Sequence, residues 1–171
     1  MSDTVPTGVR QQLAPAAIPF ERLVGWITAV AISLPLLLVV VVAWFKADYS
    51  PWGTWLYGLG GLLWLAITGW LVWLAIVWPA RSYEATSYVV DEAGIEIRRG
   101  VYWRAIVAVP RSRVQHIDVL QGPLRRKFGL ATLTLFTAGT EHSSVALANL
   151  AHNVALELRD QLLPQASDDG I

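Results

Sequence analysis

Two groups of side chains in this sequence could do chemistry, and the first is a histidine with an aspartate. His116 and Asp118 are two residues apart, so on a β-strand they would point to the same face. A hydrogen-bonded pair of this kind can act as a general base or as half of a metal site. No third ligand or nucleophile lies at a sequence spacing typical of a metal site or a catalytic group. His142 and His152 are expected to be solvated. We therefore predict no enzyme activity, no metal and no cofactor, and interpret the pair as polar residues on an exposed strand.

The second group is cationic. Between residues 98 and 127 the chain has a single acid, Asp118, among many basic residues. The candidate contacts for membrane lipid or a protein partner are Arg111, Arg113, Arg125, Arg126 and Lys127. Near an anionic membrane surface each basic residue contributes about 1 kcal/mol. The alternative is a solvated loop whose charge is balanced by the acids at positions 84, 91, 92 and 96. Nucleic acid is not expected, because aromatic residues do not alternate with these cations and the formal net charge is zero.

Two long apolar segments, 23–45 and 52–80, precede both groups in the sequence. Neither contains Asp, Glu, Lys, Arg or His, and each exceeds the roughly 20 helical residues that cross a bilayer. A soluble chain of this length could not bury two such helices on every side. We predict a transmembrane helical hairpin over 23–80, with spans at 23–45 and 54–78.

Aromatic and small residues within the two segments fit this hairpin. Tryptophans near the span ends are predicted to anchor in the headgroup zone: Trp26, Trp44, Trp52, Trp55, Trp73 and Trp78. Trp64 and Trp70 lie deeper and are not explained in this way. Pro35 predicts a kink in the first helix. Glycines at positions 58, 60, 61 and 69 are candidates for close helix approach, although no regular small-residue repeat is evident.

Basic residues near the span ends predict the orientation. Arg10 and Arg22 precede the first span, and Arg81 follows the second. The short connection has only Lys46. The positive-inside rule therefore places both termini in the cytoplasm and the connection outside. A cleaved signal peptide is the competing interpretation, but its apolar core of about 7 to 15 residues would be shorter than the first segment. The chain has no cysteine, which excludes disulfides and cysteine nucleophiles.

After residue 81 the pattern changes to short strands. Residues 82–90 and 95–98 flank an acidic turn at 91–94, which predicts a β-hairpin. Further strands are expected at 101–109, 113–121, 130–137 and 143–147. On the strand 113–121, Ile117 and Val119 should share one face, with Val114 on the other face beside His116. A helix follows, with one apolar face formed by Leu150, Val154, Leu158 and Leu162, and it ends at Pro164.

These patterns predict an α+β membrane protein with four parts. Residues 1–22 are interpreted as a flexible cytoplasmic tail and 23–80 as the hairpin. Residues 81–164 are predicted to form a small antiparallel β-barrel or sandwich, capped by the C-terminal helix. Residues 165–171 are interpreted as a disordered tail.

The stretch 109–133, VPRSRVQHIDVLQGPLRRKFGLATL, with Thr137-Ala138-Gly139 after it, carries a family resemblance. It resembles the bacterial pleckstrin-homology-like (PH-like) domain family of the second type, whose smaller membrane-bound members have two spans ahead of one such domain. The resemblance extends over 82–163 and the hairpin. It implies a seven-stranded, barrel-like sandwich with a C-terminal helix, in a multi-pass protein of the bacterial inner membrane.

Two functions are compatible with this resemblance. The first is a non-catalytic membrane-anchored module that binds copies of itself or a larger membrane protein with related PH-like domains, through exposed strand edges and the segment 122–128. The second is a module that contacts anionic phospholipid through the basic loop 125–127. Specific inositide binding is disfavoured, because eukaryotic relatives typically use a basic first hairpin and the turn at 91–94 is acidic. A more distant alternative is an accessory subunit of a membrane transport or envelope-stress complex.

Overall fold

The computed structural model describes residues 8–46, 51–138 and 144–163, without the side chains of 51–53. The chain divides into two compact units, one of Glu21–Ala80 and one of Met1–Phe20 together with Arg81–Ile171. The predictions for the Trp52 side chain, for His142 and for the tail 165–171 lie outside the described residues.

Two long helices contain the predicted membrane spans. Helix α1 (Ala17–Phe45) and helix α2 (Pro51–Glu84) have 29 and 34 residues. At about 1.5 Å per residue each is longer than the hydrocarbon core of a bilayer, which is about 30 Å thick. Only 6% of the most apolar window of each helix is buried. Helices this apolar and this exposed match a lipid environment, as the two predicted membrane-spanning helices require, and the bounds of the spans stay a prediction.

The two helices approach each other at small residues. A Cβ atom added at Gly25 would lie 2.9 Å from the Cβ atom of Ala75, which leaves no room for a side chain. Ala29 and Ala75 are both buried. Gly25, Ala29 and Ser33 recur every fourth residue, a spacing that lets membrane helices pack closely. The glycines at positions 58, 60, 61 and 69 are not the contact, since a Cβ atom there would meet nothing within 4 Å.

Contacts within the hairpin also account for the two deep tryptophans. The indole Nε1 of Trp64 donates a hydrogen bond of 3.0 Å to the backbone oxygen of Ser33, two residues before Pro35. In an apolar environment an unpaired indole N–H would be costly, so this bond links the helices. Trp70 stacks on Trp73 with ring centroids 5.1 Å apart.

Among the described residues of the second unit, seven short strands form two antiparallel sheets. The first sheet has the order β1 (Gln11–Gln12), β2 (Ser87–Val90), β3 (Gly94–Arg99) and β4 (Ala105–Pro110). The second sheet has the order β5 (Val114–Leu120), β6 (Leu130–Thr137) and β7 (Ser144–Ala151). A short helix, α3 (Pro123–Lys127), joins β5 to β6, and helix α4 (His152–Leu162) follows β7. The predicted α+β class is confirmed.

The starts of two strands differ by several residues from the sequence prediction. Strand β2 begins at Ser87, because helix α2 continues to Glu84 and the Thr86 hydroxyl donates to the backbone oxygen of Ser82 at 2.9 Å. Strand β4 begins at Ala105 instead of residue 101, because Gly100 turns the chain with φ of 117°. A Cβ atom at Gly100 would collide with the backbone oxygen of Trp103, so the tight turn requires glycine.

The N-terminal segment corrects the predicted flexible tail of residues 1–22. Residues 8–20 belong to the β-domain: strand β1 pairs with β2, and the Tyr88 hydroxyl donates to Gln11 Oε1 at 2.9 Å. The amide of Ala14 donates to the backbone oxygen of Asn149 at 3.1 Å. Leu13 and Phe20 are buried. Apolar burial and hydrogen bonding to the sheet offset the conformational entropy that residues 8–20 lose when they become ordered.

The core of the β-domain lies between the two sheets and helix α4. Its members include Leu13, Tyr88, Ile95, Ile97, Val114, Ile117, Leu133, Leu135, Leu150, Leu158 and Leu162. The predicted apolar face of the last helix is buried at Leu158 and Leu162, while Leu150 belongs to β7 and Val154 is half-buried. Helix α4 therefore covers the core as predicted.

Candidate functional site

His116 and Asp118 lie on strand β5, where both are exposed. The imidazole ring of His116 stacks on Phe136 of the neighbouring strand, with centroids 4.1 Å apart and planes 11° apart. No group of three or more metal-ligating side chains occurs among the residues that the structure describes. This arrangement packs His116 against an aromatic ring on the sheet surface.

A β-bulge between Val114 and His116 changes the predicted faces of β5. Val114 is buried together with Ile117, whereas Gln115 and His116 are both exposed. The extra residue of a bulge shifts the alternation by one position. The predicted placement of Val114 beside His116 is therefore wrong, and the bulge is the reason.

The five predicted basic contacts lie in two separate places. Arg111 and Arg113 occupy a 3-10 turn immediately before β5. Residues 125–127 lie in helix α3, after the end of β5. The strand between them has seven residues and is about 23 Å long at 3.3 Å per residue. The structure therefore does not bring the five cations together into one patch.

Within helix α3, Arg125 is held by the fold. Its guanidinium donates a hydrogen bond to the Thr132 hydroxyl and lies 5.6 Å from the centroid of the Phe20 ring. Phe20 in turn packs edge to face on Phe128, with centroids 5.6 Å apart. The cation–π contact links the N-terminal segment to helix α3. Of the three cations at 125–127, only Arg126 and Lys127 are exposed. These residues form a helix where the sequence suggested a loop.

An apolar surface adjoins the same helix. Leu120 at the end of β5 is 60% exposed and Leu124 in α3 is 43% exposed. They border an open notch of about 510 Å³, together with Pro123, Gly122 and the side chains of Arg125 and Thr132. We call Leu120, Gly122, Pro123 and Leu124 the α3 surface. It is a shallow apolar patch with cations beside it.

A second, larger concentration of positive charge was missed by sequence reasoning. A cavity of about 520 Å³ is lined by five arginines, namely Arg10, Arg81, Arg98, Arg99 and Arg104, with Glu84 as a carboxylate among its lining residues. These arginines come from the N-terminal segment, the end of α2, strand β3 and the β3–β4 connection. No local pattern could unite residues so far apart in the chain, although the bias of basic residues near the spans was a partial signal. We call this cavity the arginine pocket.

Most of the predicted membrane anchors have exposed side chains. These are Trp26, Trp44, Trp55, Trp73 and Trp78, at 43% to 79% exposed. An exposed indole ring on an apolar helix suits the headgroup zone. Their role as anchors stays a prediction.

Burial raises the pKa of Tyr88 to about 12, with the nearby carboxylate of Glu157 as the smaller cause. The phenol is almost fully buried, and its hydroxyl donates a hydrogen bond to Gln11 Oε1. A neutral tyrosine in this position is structural, since it connects β2 with the N-terminal segment.

Comparison with known proteins agrees with this architecture. The model of a family described as "Bacterial PH domain" matches residues 54–166. The chain is similar to the UPF0699 transmembrane protein YdbS of Bacillus subtilis (strain 168), with 34% identity over 164 residues, 95% of this chain and 97% of the relative. No solved structure shows significant similarity. The length of the family match and the coverage of the relative show that this chain belongs to the bacterial PH domain family.

Proposed function

We propose that this protein is a non-catalytic, membrane-anchored module that binds a protein partner at the cytoplasmic face of the bacterial inner membrane. The partner is a second PH-like domain, either in another copy of this chain or in a larger membrane protein. The observation that carries this proposal is the α3 surface, where Leu120 and Leu124 are exposed beside a notch.

The α3 surface has the composition of a small interaction site. Its centre is apolar and its border is polar, with Arg126 and Lys127 exposed on the same helix. Apolar patches bordered by polar residues are typical of protein contacts. Strand β5 is an edge of its sheet among the described strands, so its backbone is available to a partner strand. A partner held in the same membrane would need only this modest surface, because tethering raises the effective concentration.

The cytoplasmic placement is supported by charge and by pairing. Strand β1 precedes both spans, and it pairs with β2, which follows them. This pairing supports a placement of both hairpin ends on one side of the membrane. The basic residues that flank the spans favour the cytoplasmic side by the positive-inside rule.

Cross-linking in native membranes tests the partner proposal. The Leu120→Asp variant places a charge in the α3 surface, and the Gln115→Asp variant places the same side chain at an exposed position of the same strand. We expect Leu120→Asp to reduce cross-linked complexes about tenfold, consistent with the loss of one buried apolar anchor. Mass spectrometry of the complexes identifies the partner, including a transport or envelope-stress complex. Equal cross-linking in both variants would refute the role of the α3 surface.

Lipid contact through residues 125–127 is the second candidate from the sequence. Because Arg125 is engaged by Thr132 and Phe20, this contact would use only Arg126 and Lys127. Two exposed cations on a short helix are weaker support than the apolar surface beside them.

A further inference from the structure

The arginine pocket combines a high positive charge with a volume suited to a small anionic group. Five arginines and one glutamate are among the residues that line this cavity of about 520 Å³. Pockets that hold small ligands have volumes of about 300 to 1,000 Å³. Arg98 is partly neutralised by an ion pair of 2.5 Å with Glu96, whereas Arg10, Arg81, Arg99 and Arg104 are exposed. The pocket therefore has an excess of donors that suit phosphate oxygens.

The residues beside the arginines indicate a membrane surface and not bulk water. In the connection from β3 to β4, Trp103 is 91% exposed and Tyr102 is 73% exposed, and Ile106 in β4 is 63% exposed. Tryptophan and tyrosine next to cations are the combination enriched at the membrane–water interface. We call residues 100–106 the aromatic tip.

One residue of the pocket lining, Arg81, directly follows the second apolar segment in the sequence. Arg81 is the first charged residue after the second apolar segment, and Glu84 ends helix α2. A pocket that includes Arg81 therefore begins within a turn of the point where the chain leaves the apolar segment. Free phosphate would not require this placement or the exposed aromatic tip.

We propose that the arginine pocket binds the phosphate of an anionic phospholipid headgroup, such as phosphatidylglycerol, while the aromatic tip inserts into the headgroup layer. Because the spans already hold the protein in the membrane, this contact orients the β-domain on the bilayer. It uses different residues and a different ligand from the α3 surface, so the two proposals can fail independently.

The first test measures lipid binding to the full-length chain. The detergent-solubilised protein is titrated with phosphatidylglycerol against a phosphatidylcholine background, and bound lipid is counted by native mass spectrometry. The Arg99→Gln/Arg104→Gln double variant removes two pocket cations. The Arg126→Gln/Lys127→Gln double variant removes the same charge from helix α3. We expect the pocket variant to weaken phosphatidylglycerol binding about thirtyfold and the α3 variant to leave it unchanged.

Two outcomes of that titration would overturn the proposal. Equal weakening by both double variants would mean that binding depends on general charge and not on the pocket. Binding of inorganic phosphate to the unaltered protein, with displacement of phosphatidylglycerol at matched concentration, would assign the pocket to a soluble phosphate instead of a lipid.

The second test locates the aromatic tip. Because the chain has no cysteine, the Trp103→Cys variant can take one fluorescent label, with Gln115→Cys as the matched exposed control. In bilayers that contain a headgroup-level quencher lipid, we expect strong quenching at position 103 and little at position 115. Equal quenching at the two positions would refute insertion of the tip.

Discussion

The N-terminal segment, residues 8–20, is expected to stabilise the β-domain against unfolding, and the Leu13→Ala substitution tests this directly. Leu13 is 8% exposed and belongs to the core cluster with Tyr88 and Leu150. Truncation of a buried leucine costs about 2 to 5 kcal/mol. Leu13 keeps a small exposed fraction, and we expect a value near the middle of this range, about 3 kcal/mol. That is a large fraction of the 5 to 15 kcal/mol by which native domains are stable, and it raises the unfolded fraction about 100-fold.

Hydrogen–deuterium exchange of the full-length protein in detergent is the assay. In Leu13→Ala, amides of β2 and of the N-terminal segment should exchange faster by about the same 100-fold, because these strands open together. The matched control is Val9→Ala, which shortens a side chain that is 54% exposed. If the two variants exchange alike, residues 8–20 are not integrated into the domain and the corrected boundary is wrong.

Three further predictions concern the hairpin, Tyr88 and the His–Asp pair. Gly25→Leu should lower the unfolding free energy of the hairpin by about 1 to 3 kcal/mol, because the leucine side chain would overlap Ala75. Gly58→Leu should have no effect, because the space around Gly58 is open. Raising the pH from about 10 to about 12 should cost about 2 to 3 kcal/mol of unfolding free energy, because the folded state keeps Tyr88 protonated up to about pH 12, and Tyr88→Phe should lack this loss in denaturant titrations. The His116→Ala/Asp118→Ala double variant should retain full cross-linking to its partner, and loss of it would give the pair a functional role.

Local periodicity was sufficient to predict most of the fold. The spans, strand β6 and the buried face of helix α4 all follow from apolar spacing, because each pattern is contained within one element. The bulge in β5 interrupts that spacing at Val114, and so the predicted face of this residue failed. An extra residue in one strand is set by its pairing partner, which a single strand does not reveal.

Long-range contacts account for what the sequence did not predict. Strand β1 is only two glutamines, and the hydrogen bond from Tyr88 to Gln11 crosses 77 residues that include both spans. No periodic pattern marks such a strand. The arginine pocket likewise draws on four segments of the chain. The five cations that stood close in sequence were instead separated by the length of β5.

The helix contact at Gly25 could be predicted from the sequence. Gly25, Ala29 and Ser33 have the four-residue spacing of closely packed membrane helices, whereas the more numerous glycines of the second span do not have this spacing. Those glycines have open space around them in the structure. Spacing on one face is therefore a better indicator than the number of small residues.

In the proposed topology, both ends of the hairpin lie on the cytoplasmic side of the membrane. Single-cysteine labelling in intact spheroplasts measures on which side each end lies. The cysteine-free chain allows one site at a time: Val9→Cys before the spans, Ser50→Cys between them and Gln115→Cys in the β-domain. A membrane-impermeant maleimide should label position 50 in intact cells, and positions 9 and 115 only after the membrane is disrupted. Labelling of position 9 and position 115 from opposite sides of the membrane would contradict the account.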